Sequence, residues 1–364
     1  FGTLVVGIAG HGDDMSKVGR LAWRSILYFE IVTTLALAVG LIAVNFAKPG
    51  VGVSLAGAAS DAAESFVSKT PTLASVLEHT VPQSFFEAAA SNEVLQIVFF
   101  SVLFAVAVAR APEKPKKFML EFCDSLSEVM FKFVGMVMAF APIGIAGAIA
   151  ATVGQSGIGV LLTLAKLVLT LYVALIVFVL AVLLPTAMIA KVPLRTFWAQ
   201  VKGPWLLAFS TASSEAALPQ AMQAMERLGV PKRIVAFVMP TGYSFNLDGS
   251  TLYLAVASIF VAQAAGIDMP LGTQLLMMLT LMLTSKGVAA VPRASLVILS
   301  GALAQFDLPL EGVAIILGVD AVMDMARTSV NLLGNCLATV VMARWEGEFD
   351  DAKASALERS SMAA

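Results

Sequence analysis

Long apolar runs separated by short polar segments dominate the pattern of this chain. Residues 161–190 form the clearest run, in which Lys166 is the one charged residue. A membrane-spanning helix needs roughly 20 predominantly apolar residues, so runs of this length predict helical spans rather than the shorter strands of a barrel. We therefore predict an all-α polytopic membrane protein.

The first half of the chain predicts simple spans. They are expected near residues 20–46, 93–111, 118–150 and 159–189, with an alanine- and serine-rich external loop before the second. Residues 1–10 are apolar but have no Met, no basic n-region and no A-x-A site, so they do not resemble a signal peptide. We interpret them as the end of a span that begins upstream, and expect the chain to be N-terminally incomplete.

From residue 195 the pattern changes, because two apolar stretches are broken at mid-length by small polar residues, at 209–219 and 284–295. The loops on both sides of the first stretch are predicted to be cytoplasmic, and those on both sides of the second to be external. Neither stretch can therefore cross the membrane, and we predict two re-entrant hairpins that enter from opposite sides. A long helical segment follows each hairpin, at 231–265 and 310–343. Broken segments at matching positions of an inverted repeat indicate a transport site near the bilayer midplane.

The lysine and arginine residues predict the topology. They concentrate in loops 11–24, 110–117, 191–202 and 227–233 and in the tail from Arg344, whereas the intervening loops hold two lysines. The positive-inside rule places the basic set in the cytoplasm. We predict a multi-pass protein of the plasma (inner) membrane with a cytoplasmic C-terminus.

Composition supports this class. The chain has 364 residues, of which 59% are hydrophobic and 13% charged, against about 25% charged in soluble domains. The net charge of −2 gives no reason to expect a nucleic-acid partner, and two cysteines do not make a disulfide scaffold. Both histidines, His11 and His79, lie in polar surroundings, so a proton crossing the membrane would be carried by a carboxylate.

A charged stripe lies inside the last apolar segment. Asp320, Asp324, Arg327 and Asn331 are spaced by four, three and four residues, which places them on one helix face. Ionisable groups at this depth cost about 2.5–3.5 kcal/mol each on insertion scales. One interpretation is that Arg327 merely neutralises the aspartates. The other is that Arg327 binds a substrate carboxylate and Asp324 an ammonium group.

Three further interruptions suggest ligand groups. Asn246-Leu247-Asp248-Gly249 breaks a helical segment, and carbonyls beside a carboxylate suit a monovalent cation; a simple kink is the alternative. The hairpin tips contain Ser213-Ser214 and the stretch from Val291 to Ser295. Free N–H groups there would attract carboxylate oxygens, and close packing is the alternative.

The serine hairpin, the NLDG break and the DMARTSVN segment together make the chain similar to the dicarboxylate/amino acid:cation symporter family. The resemblance implies a glutamate-transporter-like fold with two re-entrant helical hairpins, an elevator-type movement and a homotrimer. It implies that residues 1–194 are mainly scaffold, except for transport-domain helices near 20–46 and 159–189. Residues 195–343 would be the transport core, and 344–364 a cytoplasmic tail.

The resemblance also implies a site. Arg327 would bind the substrate side-chain carboxylate and Asp324 its amino group. The other implied substrate-binding residues are Thr328, Asn331, Ser213, Ser214, Ser250, Val291 and Ser295. The implied cation-binding residues are Gly242, Ser244, Asn246, Asp248, Ser285, Asn331 and Asn335. No catalytic residue, no cofactor and no metal other than sodium at the cation sites is implied.

Three departures from the family pattern concern the coupling ion. Asn335 stands where sodium-coupled members have an aspartate, and Phe29 and Val32 replace a tyrosine and a threonine. Fewer oxygens and one lost charge weaken sodium binding, so the pattern favours H⁺ over Na⁺. The acids left to carry a proton are Asp248, Glu215 and Glu30.

The predicted function is a secondary active symporter that imports glutamate or aspartate with a cation. A C4-dicarboxylate symporter is the main alternative, but such carriers lack the equivalents of Asp324 and Thr328. Sodium coupling and a channel-like activity also remain open. An intramembrane serine hydrolase is disfavoured, because no histidine lies in any predicted span to activate Ser213 or Ser214.

Overall fold

A computed structural model of the chain describes residues 1–9, 15–53, 55, 84–90, 94–138, 164–284 and 294–363. Every regular element in these ranges is helical. The elements before residue 190 are α1 (Gly2–Ala9), α2 (Met15–Ala47), α3 (Phe85–Ala90), α4 (Val94–Arg110), α5 (Glu113–Met138), α6 (Ala165–Phe178) and α7 (Leu184–Ile189). A π-helical turn, Val179–Leu183, joins α6 to α7.

The second half of the chain is a succession of paired and broken helices. Its elements are α8 (Leu194–Thr211), α9 (Ser214–Leu228), α10 (Lys232–Phe245), α11 (Asp248–Ala264), α12 (Leu271–Thr284), α13 (Ala294–Gln305), α14 (Glu311–Glu346) and α15 (Asp351–Ala363). The described part of the chain thus confirms the all-helical class.

Three described segments are long and apolar enough to cross a membrane: Gly19–Ala47, Ala165–Ile189 and Lys232–Ala264. They correspond to the spans predicted near 20–46 and 159–189 and to the long segment 231–265. Helices α4 and α5 lie where two other spans are predicted, although residues 139–150 of the second are outside the described residues.

The helix pairs stand where the sequence predicts hairpins. Helices α8 and α9 pack against each other and are separated by Ala212 and Ser213, with Ala212 in the left-handed conformation (φ 48°). Helices α12 and α13 also pack together, and the tip between them lies outside the described residues. The predicted tip residues Ser285 and Val291 belong to that undescribed stretch, as does Arg293.

Helix α11 occupies the centre of the molecule. It is buried along most of its length and packs against α2, α6 and α14, as expected for a helix that is hydrophobic on all sides. Glycines allow the close approaches on both sides. A methyl group at Gly40 would lie 2.7 Å from the carbonyl oxygen of Leu252, and one at Gly249 would lie 2.2 Å from that of Arg327.

The chain end is helical and tied to the helix bundle. Residues 344–353, which we call the C-terminal clasp, hold four helix ends together. Glu346 forms ion pairs with Arg20 at 3.0 Å and Arg24 at 2.7 Å on α2. Further clasp contacts include the ion pairs Arg233–Glu348 and Arg344–Asp351 and the hydrogen bonds from Asp350 N–H to the Gly229 carbonyl and from Lys353 Nζ to the Glu226 carbonyl. The Arg344 hydrogen bond lowers the pKa of the Asp351 carboxyl.

Candidate functional site

The predicted break in the long segment 231–265 is present and defined by two residues. Helix α10 ends at Phe245, and Asn246 (φ −116°, ψ 67°) and Leu247 (φ −99°, ψ 57°) are not helical. The Asn246 N–H still donates to the Gly242 carbonyl at 2.7 Å, so the chain leaves α10 tightly. Helix α11 then begins at Asp248.

A cluster of buried amides and a carboxylate fills this break. The Asn246 Nδ2 group donates to Asp248 Oδ2 at 3.3 Å and to Asn335 Oδ1 on α14 at 3.1 Å. All three side chains are buried. Within the described residues, Asn246 Oδ1 and Asn335 Nδ2 have no hydrogen-bond partner. Such orphaned atoms cost about 1–3 kcal/mol each, and here one is an acceptor and the other a donor. We call Asn246, Asp248 and Asn335 the cation cluster, after the role predicted for them.

Two glycines make room for the cation cluster. A methyl group at Gly242 would lie 2.3 Å from Asn335 Oδ1, and one at Gly334 would lie 2.1 Å from Asp248 Oδ2. The Phe29 ring reaches the same place, with its Cζ 3.5 Å from the methyl position of Gly242. Phe29 and Asn335, two of the departures from the family pattern, therefore border one small volume.

Asn331 on α14 caps the start of α11. Its Oδ1 accepts from the backbone N–H groups of Gly249 at 2.7 Å and Ser250 at 3.2 Å, and its Nδ2 donates to Ser250 Oγ at 2.9 Å. The first N–H groups of a helix have no partner within the helix. The Asn331 side-chain oxygen is the partner of two of these N–H groups, and it thereby joins the start of α11 to the helix that carries the charged stripe.

The charged stripe is an ion-pair network around Arg327. Arg327 Nε donates to Asp324 Oδ1 at 2.9 Å, and its Nη1 donates to Asp320 Oδ1 at 3.0 Å. The guanidinium also lies over the Tyr253 ring, 4.2 Å from the centroid. The side chain of Asp324 is 15% exposed, whereas those of Arg327 and Asp320 are 2% and 0% exposed. Both aspartates therefore neutralise Arg327 in this structure, which fits either interpretation of Arg327, and Asp324 is the most exposed of the three side chains.

The Asp324 carboxylate is also oriented by Thr328. The Thr328 hydroxyl donates to Asp324 Oδ1 at 2.9 Å. A guanidinium carries five N–H donors, more than the contacts to Asp320 and Asp324 use. The stripe can therefore offer donors to a carboxylate and an acceptor to an ammonium group.

The first hairpin tip is held by its own serine and by α10. The Ser213 hydroxyl accepts from the Ala216 N–H at 3.3 Å and so caps α9. The Tyr243 hydroxyl donates to the Ser214 carbonyl at 2.9 Å. Ser295, at the start of α13, is buried, and α13 packs against α11 and α14.

The structure brings most of the predicted residues together, on the facing ends of α10 and α11 and the middle of α14. Ser244 is buried on the same turn as Gly242. Sequence reasoning missed Tyr253 as a partner of Arg327. It lies four residues after Gly249, on the face of α11 that meets α14, but which face meets α14 is known only from the packing, so no signal in the sequence identifies it.

The side-chain acceptors of the cation cluster are all oxygens. Among the described residues, no group of three or more His, Cys, Asp or Glu side chains could hold a metal ion. The cation cluster offers amide and carboxylate oxygens, which are the ligands that hard cations prefer.

Comparison with known proteins gives one family. A model described as "Sodium:dicarboxylate symporter family" matches residues 1–345. A proton/sodium-glutamate symport protein of Geobacillus stearothermophilus is 43% identical over 356 residues, which cover 96% of this chain and 84% of that protein. A proton/glutamate-aspartate symporter of Escherichia coli is 43% identical over 364 residues, 98% of this chain and 83% of its own length. A C4-dicarboxylate transport protein of Bacillus subtilis is 41% identical over 357 residues, with 97% and 84% covered.

Proposed function

This chain belongs to the sodium:dicarboxylate symporter family, and on that premise we propose that it imports glutamate or aspartate together with protons. Members of the family are membrane symporters, not enzymes, and this chain is accordingly a multi-pass membrane transporter of small acidic substrates coupled to cations. Two finer parts of the proposal, an amino acid as the substrate and a proton as the coupling ion, are argued from the site.

The observation that carries the substrate proposal is the partly exposed Asp324 beside the buried Arg327. A substrate carboxylate would take N–H donors of Arg327, and the substrate ammonium group would take Asp324. A C4-dicarboxylate has no ammonium group, and it would meet the negative charge of Asp324 without compensation. Acidic amino acids therefore fit the stripe better, with Thr328 and Asn331 as further hydrogen-bonding groups.

The proton proposal is supported by the cation cluster. Asn335 contributes a neutral amide where sodium-coupled relatives have a carboxylate, and Phe29 adds an aromatic edge instead of a hydroxyl. A bare sodium ion needs several oxygens to replace its water. Asp248 supplies one carboxylate, which a proton can neutralise without further ligands.

The transport cycle that we propose follows the family plan. Helix pairs α8–α9 and α12–α13 would be re-entrant hairpins that close on the substrate from the cytoplasmic and external sides, with Ser213, Ser214, Val291 and Ser295 at their tips. Residues 195–343, with α2 and α6, would move as an elevator against a scaffold formed by the rest of 1–194, in a homotrimer of the plasma membrane with its C-terminus in the cytoplasm.

Uptake into proteoliposomes tests substrate and coupling together. Labelled glutamate, aspartate and succinate would be offered under an inward proton gradient in sodium-free medium, and separately under a sodium gradient at equal pH. We expect glutamate or aspartate uptake driven by the proton gradient. Preferential succinate uptake would contradict the substrate, and uptake that requires sodium and ignores the pH gradient would contradict the coupling ion.

A single substitution tests the role of the cation cluster in ion choice. Asn335→Asp restores the carboxylate of sodium-coupled relatives, so we expect uptake to gain a dependence on sodium, measured as the increase in initial rate on adding Na⁺. Asn45→Asp is the matched control, because Asn45 pairs with Gln274 away from the cluster (2.7 Å). A sodium effect that is absent in Asn335→Asp, or equal in the control, would contradict this assignment.

A further inference from the structure

Tyr243, on the last turn of α10, lies between the cation cluster and the tip of the first hairpin. Successive residues of a helix point about 100° apart, so Gly242 and Asn246 face α14 while Tyr243 points elsewhere. The Tyr243 side chain reaches the first hairpin, where its hydroxyl donates to the carbonyl oxygen of Ser214 at 2.9 Å. One helical turn thus contacts both the cation cluster and the hairpin tip.

On the hairpin side, the contact falls on the first residue of α9. Ser214 follows the capping residue Ser213, whose hydroxyl accepts from Ala216 N–H. The Tyr243 ring is 7% exposed, so its position is determined by packing. The first turn of α9 is therefore held by Ser213 within the hairpin and by Tyr243 from α10.

The last turn of α10 also contacts the cation cluster. The Asn246 N–H donates to the Gly242 carbonyl at 2.7 Å, and Asn246 Nδ2 donates to Asn335 at 3.1 Å. Gly242 also lies directly against Asn335. A cation that coordinates the orphaned Asn246 Oδ1, or a proton taken up by Asp248, would change the contacts of Asn246 and so shift the turn that carries Tyr243.

We propose that Tyr243 is a positioning residue that links occupancy of the cation cluster to the placement of Ser213 and Ser214. The inference rests on the proposed function, because it takes the hairpin tip as a substrate contact and the break as the cation site. Tyr243 is not among the residues assigned to the substrate or to the cation. It acts through the Ser214 carbonyl, along a continuous set of contacts of the kind that energetic coupling between sites uses.

The linkage has a measurable form. When cation binding raises substrate affinity by some factor, substrate binding raises cation affinity by the same factor, and such factors are typically about 5 to 150. Removing the linking contact reduces the factor. A residue that serves packing alone changes stability or the maximal rate and leaves the factor as it is.

Tyr243→Phe keeps the ring and removes the hydroxyl. Reconstituted protein would be assayed for the KM of labelled glutamate at acidic and at alkaline external pH in sodium-free medium, the proton being the coupling ion of the proposed function. We expect the cation-induced decrease in KM to shrink by about fivefold or more, with the maximal rate within about twofold of wild type. Tyr172→Phe is the control, because the Tyr172 hydroxyl donates to the Val322 carbonyl at the same 2.9 Å and joins α6 to α14 instead.

Substrate-induced thermal shifts of the detergent-purified variants give the same linkage without transport, and they also report whether Tyr243→Phe is folded. An unchanged cation dependence in Tyr243→Phe, or an equal loss in Tyr172→Phe, would overturn the inference while leaving the proposed function intact. Wild-type protein that fails to take up any acidic substrate would instead contradict the proposed function.

Discussion

At the scale of single residues, the buried charge of Arg327 governs the site. Two aspartates and the face of an aromatic ring compensate it. Removing one partner of a buried ion pair costs about 3–5 kcal/mol, because the other charge is left uncompensated. Under the proposed function, a substrate carboxylate would share Arg327 with these two aspartates.

The role of Asp324 can be tested by its substrate selectivity. Asp324→Ser should lower glutamate or aspartate affinity by about 100-fold or more, because the substrate ammonium group would be buried without a partner. Succinate affinity should fall far less. Competition of each compound against labelled substrate measures both. Asp320→Asn is the control, since Asp320 also pairs with Arg327 but is fully buried.

Equal losses for amino acids and for succinate in Asp324→Ser would assign Asp324 a purely structural role. A selective loss of amino-acid affinity in Asp320→Asn would transfer the ammonium contact to Asp320.

The spacing of the charged stripe was enough to predict that its members share a face, and the contacts of Arg327 with Asp320 and Asp324 confirm it. The partner across the helix interface was not predictable in the same way. Tyr253 meets Arg327 only because α11 and α14 approach closely at Gly249, and that approach depends on tertiary packing, which a single segment does not encode.

At the scale of elements, breaks with polar or small residues were predicted, and one break without them was not. The NLDG interruption and the serine tip at Ala212 and Ser213 lie where the sequence indicates, because Asn, Gly and Ser leave helices readily. The π-helical turn Val179–Leu183 lies in a continuous apolar run without a polar residue. The mark there is Pro185, which follows the turn, because a proline has no N–H to donate and crowds the carbonyl four residues earlier.

The contact between α11 and α14 depends on the absence of a side chain at one position. Gly249→Ala would place a methyl group 2.2 Å from the Arg327 carbonyl oxygen. Backbone cannot yield as a flexible side chain can, so we expect a loss of about 1–3 kcal/mol in stability, together with loss of uptake. Thermal unfolding in detergent and proteoliposome uptake measure the two effects.

Gly272→Ala in α12 is the matched control, because a methyl group there meets nothing within 4 Å. Alanine is favoured over glycine in helices by about 0.5–1 kcal/mol, so this variant should be as stable as wild type or slightly more stable. Comparable destabilisation of both variants would show that the close approach is not the cause.

At the scale of the whole molecule, the C-terminal clasp connects elements that are distant in sequence. It joins the start of α2 to the end of α14, and it reaches α9 and α10 through Gly229 and Arg233. The sequence predicted a basic cytoplasmic tail from residue 344. The pairing of Glu346, in that tail, with Arg20 and Arg24 was not predicted, because Glu346 is more than 300 residues away from both in the sequence.

Glu346 is the central residue of the clasp, with a side chain that is 7% exposed and two arginine partners. Glu346→Gln should lower stability by about 1.5–3 kcal/mol, as expected for a hydrogen bond to a charged group. A decrease in the detergent unfolding temperature would report this loss. Asp351→Asn is the control, because the Asp351 side chain is 69% exposed and exposed ion pairs contribute about 0–1 kcal/mol. Equal decreases would refute a special role for Glu346.

The break between α10 and α11 has a consequence for how the protein is made. The ribosome delivers the chain from its N-terminus, so α2 is already in the bilayer when the segment Lys232–Ala264 emerges, whereas α14 has not been translated. Asp248 then enters the membrane before the Gly334 and Asn335 backbone that encloses it exists, at an insertion cost of about 2.5–3.5 kcal/mol. We expect nascent chains arrested before residue 311 to hold this segment loosely at the translocon, measured as stronger crosslinking to it than in longer chains that include α14.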